Sequence, residues 1–241
     1  MREWLERVRV VLCRPSHPGN IGAAARAMKT MGIADLRLIA PERFPAPEAQ
    51  WMATHADDVL ASARVYAQLG DALSDCVTTF ALSARTREWS PQVLDARAAA
   101  AVALERAASG PVAFVFGAES AGLTNEELFD CQFLVHIPTD PQSRSLNLAQ
   151  AVQLIAYDWR QALGGFAVTP RTPDATHADA AAVQGLLAHW EEMLVGIGFL
   201  DPASPKKLLP RLNQLFNRAR LTPEEVHILR GVARAVLERR R

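Results

Sequence analysis

The chain has 241 residues, 49% of them hydrophobic, which allows one full core with a smaller appendage and excludes disorder as the default. Its 26 basic and 26 acidic side chains balance but are unevenly placed: residues 205–241 carry 10 Lys/Arg against 3 Asp/Glu. That stretch is locally +7 on a body that sums to −7, which suits a polyanionic partner and equally suits an Arg-rich solvated helix face. Cys13, Cys76 and Cys131 are odd in number and include no C-x-x-C pair, so neither a disulfide framework nor a structural zinc site is supported. Each sits in or beside an apolar run and reads as a buried small hydrophobe in a reducing cytosol. The charged N-terminus runs directly into Val8 to Leu12, which leaves no long apolar core for a signal peptide or membrane span; a cytoplasmic protein is expected.

In chain order, β-rich runs alternate with helical stretches, which predicts an α/β domain with a mainly parallel sheet and helices on both faces. Strands are predicted at 8–13, 36–39, 77–82, 112–116 and 133–137, with a weaker one near 64–66. Helices are predicted at 22–31, 69–74, 93–108, 125–129 and 146–163, with Thr124 and Glu127 as a capping-box pair. A polar, Pro-bearing stretch follows Gly164 and Gly165. Three further helices follow it: 178–195; one capped by Ser204 and Pro205 and running to about Asn217; and one opened by Thr222-Pro223-Glu224-Glu225. The expected organisation is residues 1–165 as the α/β domain, 166–177 as linker and 178–241 as a helical extension.

Three segments place small and polar residues where a strand ends and a helix begins, the position at which open α/β sheets bind ligands. They are Arg14 to Gly22 with Arg26 a helical step beyond, Phe116-Gly117-Ala118-Glu119-Ser120-Ala121-Gly122-Leu123, and Ile137 to Leu148. Singly, each has an ordinary explanation: Asn20 as an N-cap, Gly22 for close helix packing, Gly117 and Gly122 for turns, Ser145 as a cap. A dinucleotide-binding G-x-G-x-x-G after the first strand and a lysine phosphate loop are both absent, which disfavours an ordinary nucleotide fold.

Taken together, Asn20-x-Gly22-x-x-x-Arg26, Phe116-Gly117-x-Glu119-x-x-Gly122-Leu123 and Ser145-Leu146-Asn147 resemble, in this order, the three motifs of the SPOUT family of RNA methyltransferases. The likeness is nearest to the bacterial branch that methylates the ribose 2′-hydroxyl of cytidine or uridine 32 of tRNA. It covers residues 8–163 strongly and the tail from His189 more loosely. The resemblance implies S-adenosylmethionine as cofactor, tRNA as substrate, a C-terminal trefoil knot and a homodimer whose pockets are completed across subunits; no metal or membrane contact is expected. It implies cofactor contacts at Leu82, Ser83, Ala84, Gly117, Glu119 and Ile137, and at Arg144, Ser145 and Leu146. Ser143 stands where the branch often has Tyr, so no aromatic contact is expected there.

Arg26, Ser145 and Asn147 are the expected catalytic residues. A guanidinium is a poor proton acceptor, so Arg26 is read as a clamp on the phosphate that orients the hydroxyl, with phosphate or water taking the proton. Expected RNA contacts are Arg14, His17, Asn20, Arg26, Arg85 and Arg87, with Lys206, Lys207 and Arg211 adding electrostatic grip from the extension. Two alternatives remain open from sequence: ribose methylation of another RNA such as ribosomal RNA, and an RNA-binding protein that keeps the fold without turnover.

Overall fold

A computed structural model describes residues 2–85, 90–167 and 176–239. The chain divides into two compact units, Met1–Ala167 and Val168–Arg241.

In the first unit the strands are β1 (Val8–Cys13), β2 (Asp35–Ile39), β3 (Arg64–Tyr66), β4 (Thr78–Leu82), β5 (Gln92–Asp95), β6 (Val112–Phe116) and β7 (Phe133–His136). Among the described residues they form one sheet in the order β3-β2-β1-β6-β4-β7-β5, and every neighbouring pair is parallel. The helices are α1 (Arg2–Leu5), α2 (Pro18–Met31), α3 (Pro47–Ala53), α4 (Asp57–Ala61), α5 (Leu69–Leu73), α6 (Ala96–Ala107), α7 (Asn125–Phe129) and α8 (Leu148–Ala162).

A parallel sheet must be covered on both faces, and the side chains of β4 and β6 are buried throughout. Alternation sends Val10, Leu12, Phe114 and Phe116 into one layer with α2, α6 and α8, and Val11, Cys13, Ala113 and Val115 into the other with α5 and α7. Phe80 stacks between Phe114 and Phe133, with ring centroids 4.9 and 5.2 Å away. Each fully buried aromatic or Leu side chain of this kind contributes roughly 1.5–3 kcal/mol. At the sheet's N-terminal edge the buried Arg37 bonds bidentately to Asp75 and also to Asp35, so its charge is not left uncompensated. The opposite edge positions the site. Since α2 follows β1 into one layer while α7 follows β6 into the other, the loops after these adjacent strands diverge and leave a crevice.

Several predicted boundaries shift, each for a local reason. Helix α2 starts at Pro18, not Gly22, with Pro at the position whose missing N–H costs nothing. Asn20 is therefore inside the helix and is not its cap; His17 holds the cap position without a side-chain cap bond. Helix α8 starts at Leu148, and its cap is Asn147, not Ser145: Asn147 Oδ1 accepts from Ala149 N at 2.9 Å, and Gln150 Oε1 accepts from Asn147 N at 3.3 Å. The predicted helix from Val93 begins instead as edge strand β5, because Asp95 accepts from Ala98 N and starts α6 after itself. Helices α1, α3 and α4 are too short to show a periodicity and add to the predicted set.

The second unit consists of α9 (Ala180–Gly196), α10 (Leu208–Ala219) and α11 (Pro223–Glu238). The Thr222/Glu225 capping box forms as predicted, with bonds of 2.7 and 3.2 Å. The cap predicted at Ser204 and Pro205 does not form: α10 begins after Lys207, which makes no side-chain cap bond. Val183, Leu186, Leu187, Phe216 and Val226 make a core cluster in which Trp190 meets Phe216 edge-on at 5.4 Å. Trp190 Nε1–H donates to Leu229 O at 3.2 Å. Among the described residues no helix is long and apolar enough to cross a membrane.

Candidate active site

The loops after β1, β4, β6 and β7 leave the same edge of the sheet, and two adjoining cavities open there. The larger, of about 560 Å³, is lined by Leu82, Ser83, Ala84 and Arg85 at the end of β4 and beyond, by residues 116–123 at the end of β6 and beyond, and by Ile137, Arg144, Ser145, Leu146 and Leu148 around the approach to α8. The smaller, of about 310 Å³, is lined by His17, Asn20, Glu119, Ser145, Leu146, Asn147 and Leu148. Glu119, Ser145, Leu146 and Leu148 belong to both.

Backbone shape makes the larger cavity. A Cβ at Gly117 would overlap the carbonyl carbon of Gly122 and the amide nitrogen of Leu123, so the loop can fold onto itself there only around glycine. Gly122 closes it with a left-handed φ of 72°, its N–H donating to Ala118 O at 2.8 Å. Gly22 works by the same means at a distance: a Cβ there would overlap the carbonyl of Ala49, so glycine lets α3 lie against α2.

Side chains make the smaller cavity. Glu119 accepts from Ser16 N and Ser16 Oγ, both at 3.0 Å, from His17 N at 3.3 Å and from Asn20 Nδ2 at 2.8 Å. Partial burial opposes its ionisation, but these donors outweigh burial and hold the carboxyl at about 2, from an ordinary 4.5. Asn20 Oδ1 in turn accepts from Asn147 Nδ2 at 3.1 Å, which joins all three motifs in one chain of bonds. A second brace runs beneath. Arg14, with φ 48°, pairs with Glu127 and donates to Gly122 O at 3.4 Å, while Glu127 also accepts from Thr124 N at 2.8 Å to cap α7. Burial raises the Glu127 carboxyl, but Arg14 and Thr124 lower it by more.

The structure brings every predicted cofactor residue to the larger cavity: Leu82, Ser83, Ala84, Gly117, Glu119, Ile137, Arg144, Ser145 and Leu146 all line it. Of the residues predicted for catalysis, Ser145 lines both cavities and Asn147 the smaller one, where its side chain is occupied by the helix cap and by Asn20. Arg26 is exposed on α2, lines neither cavity and makes no side-chain bond among the described residues. Among the predicted RNA contacts, His17 and Asn20 line the smaller cavity and Arg85 the larger, whereas Arg14 is turned to Glu127. Arg87 lies outside the described residues. Lys206, Lys207 and Arg211 are exposed in the second unit, at the start of α10. Sequence reasoning missed Ser16 as a site residue and the apolar lining by Phe116, Leu123, Leu148 and Ala151. Ser16 stands directly before His17 in the first motif, but its bond to a residue 103 positions away leaves no local signal.

The SpoU rRNA Methylase family matches residues 7–157, and the tRNA methyltransferase TrmJ, C-terminal domain, matches residues 181–241. The tRNA (cytidine/uridine/adenosine-2′-O-)-methyltransferase TrmJ of Pseudomonas aeruginosa is 46% identical over 238 residues, covering 95% of this chain and 93% of its own. The tRNA (cytidine/uridine-2′-O-)-methyltransferase TrmJ of Sodalis glossinidius is 39% identical, covering 96% and 92%. The crystal structure of TrmJ from Z. mobilis ZM4 superposes with a TM-score of 0.82 at 32% identity, covering 95% of this chain and 98% of that one. With its sheet, its three joined motifs and both parts of its length matched in this way, the chain belongs to the SpoU methylase family and to its TrmJ-type branch.

Proposed function

We propose that this protein is an S-adenosylmethionine-dependent tRNA 2′-O-methyltransferase acting on the ribose of cytidine or uridine 32 in the anticodon loop. The observation that carries the reading is the pair of adjoining cavities with Glu119 and Ser145 in their common wall. Two ligands that must exchange a group need two pockets sharing a boundary.

The larger cavity fits the cofactor in size and chemistry. Its 560 Å³ lies within the range of small-ligand sites. Phe116, Ile137, Leu146 and Leu148 offer apolar surface to a base, the loops at 82–85 and 117–122 offer backbone polar groups, and Glu119 offers a carboxylate near a cation. The bound cofactor supplies a methyl group already activated on a sulfonium. What remains to the protein is to hold the ribose in line and keep water out.

In this reading Arg26 clamps the phosphate beside the reacting ribose. Its exposed, uncommitted guanidinium suits an RNA contact, and its absence from both cavity linings suits a homodimer in which it serves the partner's site. Ser145 meets the hydroxyl, Asn147 and Asn20 fix the wall, and Arg85 contacts phosphate. The second unit adds Lys206, Lys207 and Arg211 as a salt-sensitive grip on tRNA, the division of labour expected of residues 1–165 and 178–241. The C-terminal knot belongs to the same reading.

Incubation with labelled methyl donor and total unmodified tRNA, followed by nucleotide mapping, tests it. Label on the ribose at position 32 is expected, and Arg26→Ala is expected to lower transfer ~10²-fold or more while cofactor affinity stays within ~3-fold. Label in ribosomal RNA alone, or none in either RNA, would overturn the assignment.

A further inference from the structure

The reaction releases a proton from the ribose hydroxyl, and the groups usually considered for receiving it fare poorly here. A guanidinium such as that of Arg26 has no acceptor atom. The carboxylate of Glu119 is already surrounded by four donors and is held at about 2, so it is a weak base at neutral pH. Asn20 and Asn147 are engaged with each other and cannot accept a proton near neutrality.

His17 is different. It lines the smaller cavity together with Ser145 and Asn147. Its Nδ1 lies 2.8 Å from Ser16 Oγ, and the Ser16 hydroxyl donates to Glu119 Oε2 at 3.0 Å. A hydroxyl has one hydrogen. With that hydrogen directed to an ionised carboxylate, the short contact to the ring requires His17 Nδ1–H to donate to Ser16 Oγ. The neutral ring is thereby fixed in one tautomer, with a bare lone pair on Nε2, which has no partner among the described residues. The chain of bonds ends on the Glu119 carboxylate, which orders the ring through Ser16.

We propose, on the basis of the methyltransferase reading above, that Nε2 of His17 is the acceptor of the ribose 2′-hydroxyl proton, with Ser16 and Glu119 as positioning residues that set its tautomer. As the hydroxyl oxygen bonds to the methyl carbon, the methyl–sulfur bond breaks and its electron pair stays on sulfur. The hydroxyl proton passes to His17 Nε2 and from there to solvent, which His17 reaches because it is exposed. The titratable or charged groups that face the ring are few. Glu119 comes from the loop after β6, the neighbours from α2 and the approach to α8 are the neutral Asn20, Ser145 and Asn147, and Arg144 lines only the adjoining cavity.

The test joins a structural reading with a kinetic one on the full-length protein. In ¹⁵N-labelled protein, the neutral His17 ring is expected as the Nδ1–H tautomer, and Ser16→Ala is expected to shift it toward Nε2–H. In single-turnover assays at saturating methyl donor and tRNA, the wild-type rate should fall on the acid side as the imidazole protonates. His17→Ala and His17→Gln should lower the plateau by ~10²–10⁴-fold and abolish that acid limb, with both ligands' affinities within ~3-fold. Ser16→Ala should lower the rate less and move the limb. An Nε2–H tautomer in the wild type, or His17 variants within ~3-fold of wild type with the acid limb retained, would overturn the proposal. Wild-type protein that binds tRNA yet transfers no methyl group would instead overturn the functional reading, and the proposal with it.

Discussion

The two cavities are built by opposite means. The larger is shaped by backbone, through Gly117, Gly122 and the strand-end loops, with apolar side chains filling in. The smaller is shaped by side chains that hydrogen-bond across long stretches of sequence: Ser16 and Asn20 to Glu119, and Asn147 to Asn20. A backbone-built pocket tolerates most side-chain changes but almost none that alter its loops. A pocket built from mutually bonded polar groups tolerates little, because removing one partner leaves the next unsatisfied. On the proposed reading, cofactor binding and acceptor handling should therefore be separable by mutation.

The largest expected effect is at Gly117. Gly117→Ala cannot place its Cβ without moving the 117–123 loop, so S-adenosylmethionine affinity measured by calorimetry should fall at least ~100-fold, about 2.7 kcal/mol. Retention within ~3-fold would break the contrast. Glu119→Gln is next: it exchanges charge-assisted acceptors for an amide that must turn one donor toward other donors. Methyl transfer should drop ~10–100-fold, as loss of hydrogen bonds to a charged group implies, with a smaller change in cofactor affinity.

The same carboxylate has a pH signature. Its folded-state value is depressed from 4.5 to about 2, so its contribution to stability is present above about 4.5 and is lost as pH falls toward about 2. The gap in urea midpoint between wild type and Glu119→Gln should therefore close across that window. Asn147→Ala removes the α8 cap and the bond to Asn20 and should cost about 1–2 kcal/mol in urea unfolding. Smallest is Thr222→Ala in the second unit, about 1 kcal/mol, with cofactor affinity unchanged.

The same division explains what could be read from the sequence. Strands β1 and β6 stood out as short apolar runs, and the Thr124 and Thr222 capping boxes as four-residue patterns, because their causes are local. Edge strand β5 was hidden, since it is only four residues long, mostly exposed, and held by its pairing with β7. The residues expected at the cofactor could be grouped into one cavity lining by their motifs because each is a strand-end loop contiguous in sequence. Ser16 could not, nor could the inward turn of Arg14. Their partners, Glu119 and Glu127, lie more than 100 residues away, and no periodicity links them. Asn20 and Ser145 were assigned caps that belong to other residues, because cap propensity cannot tell Asn20 from a position inside the first turn once Pro18 has started the helix.

The chain Asn147–Asn20–Glu119–Ser16 has a thermodynamic corollary. Glu119 lies in the wall common to both cavities, and Ser16, Asn20 and Asn147 are tied to it by hydrogen bonds, so a ligand that orders this chain from one side reduces the entropy left for the other to remove. Occupancy of either cavity should then raise affinity at the other, and reciprocity requires the two enhancement factors to be equal.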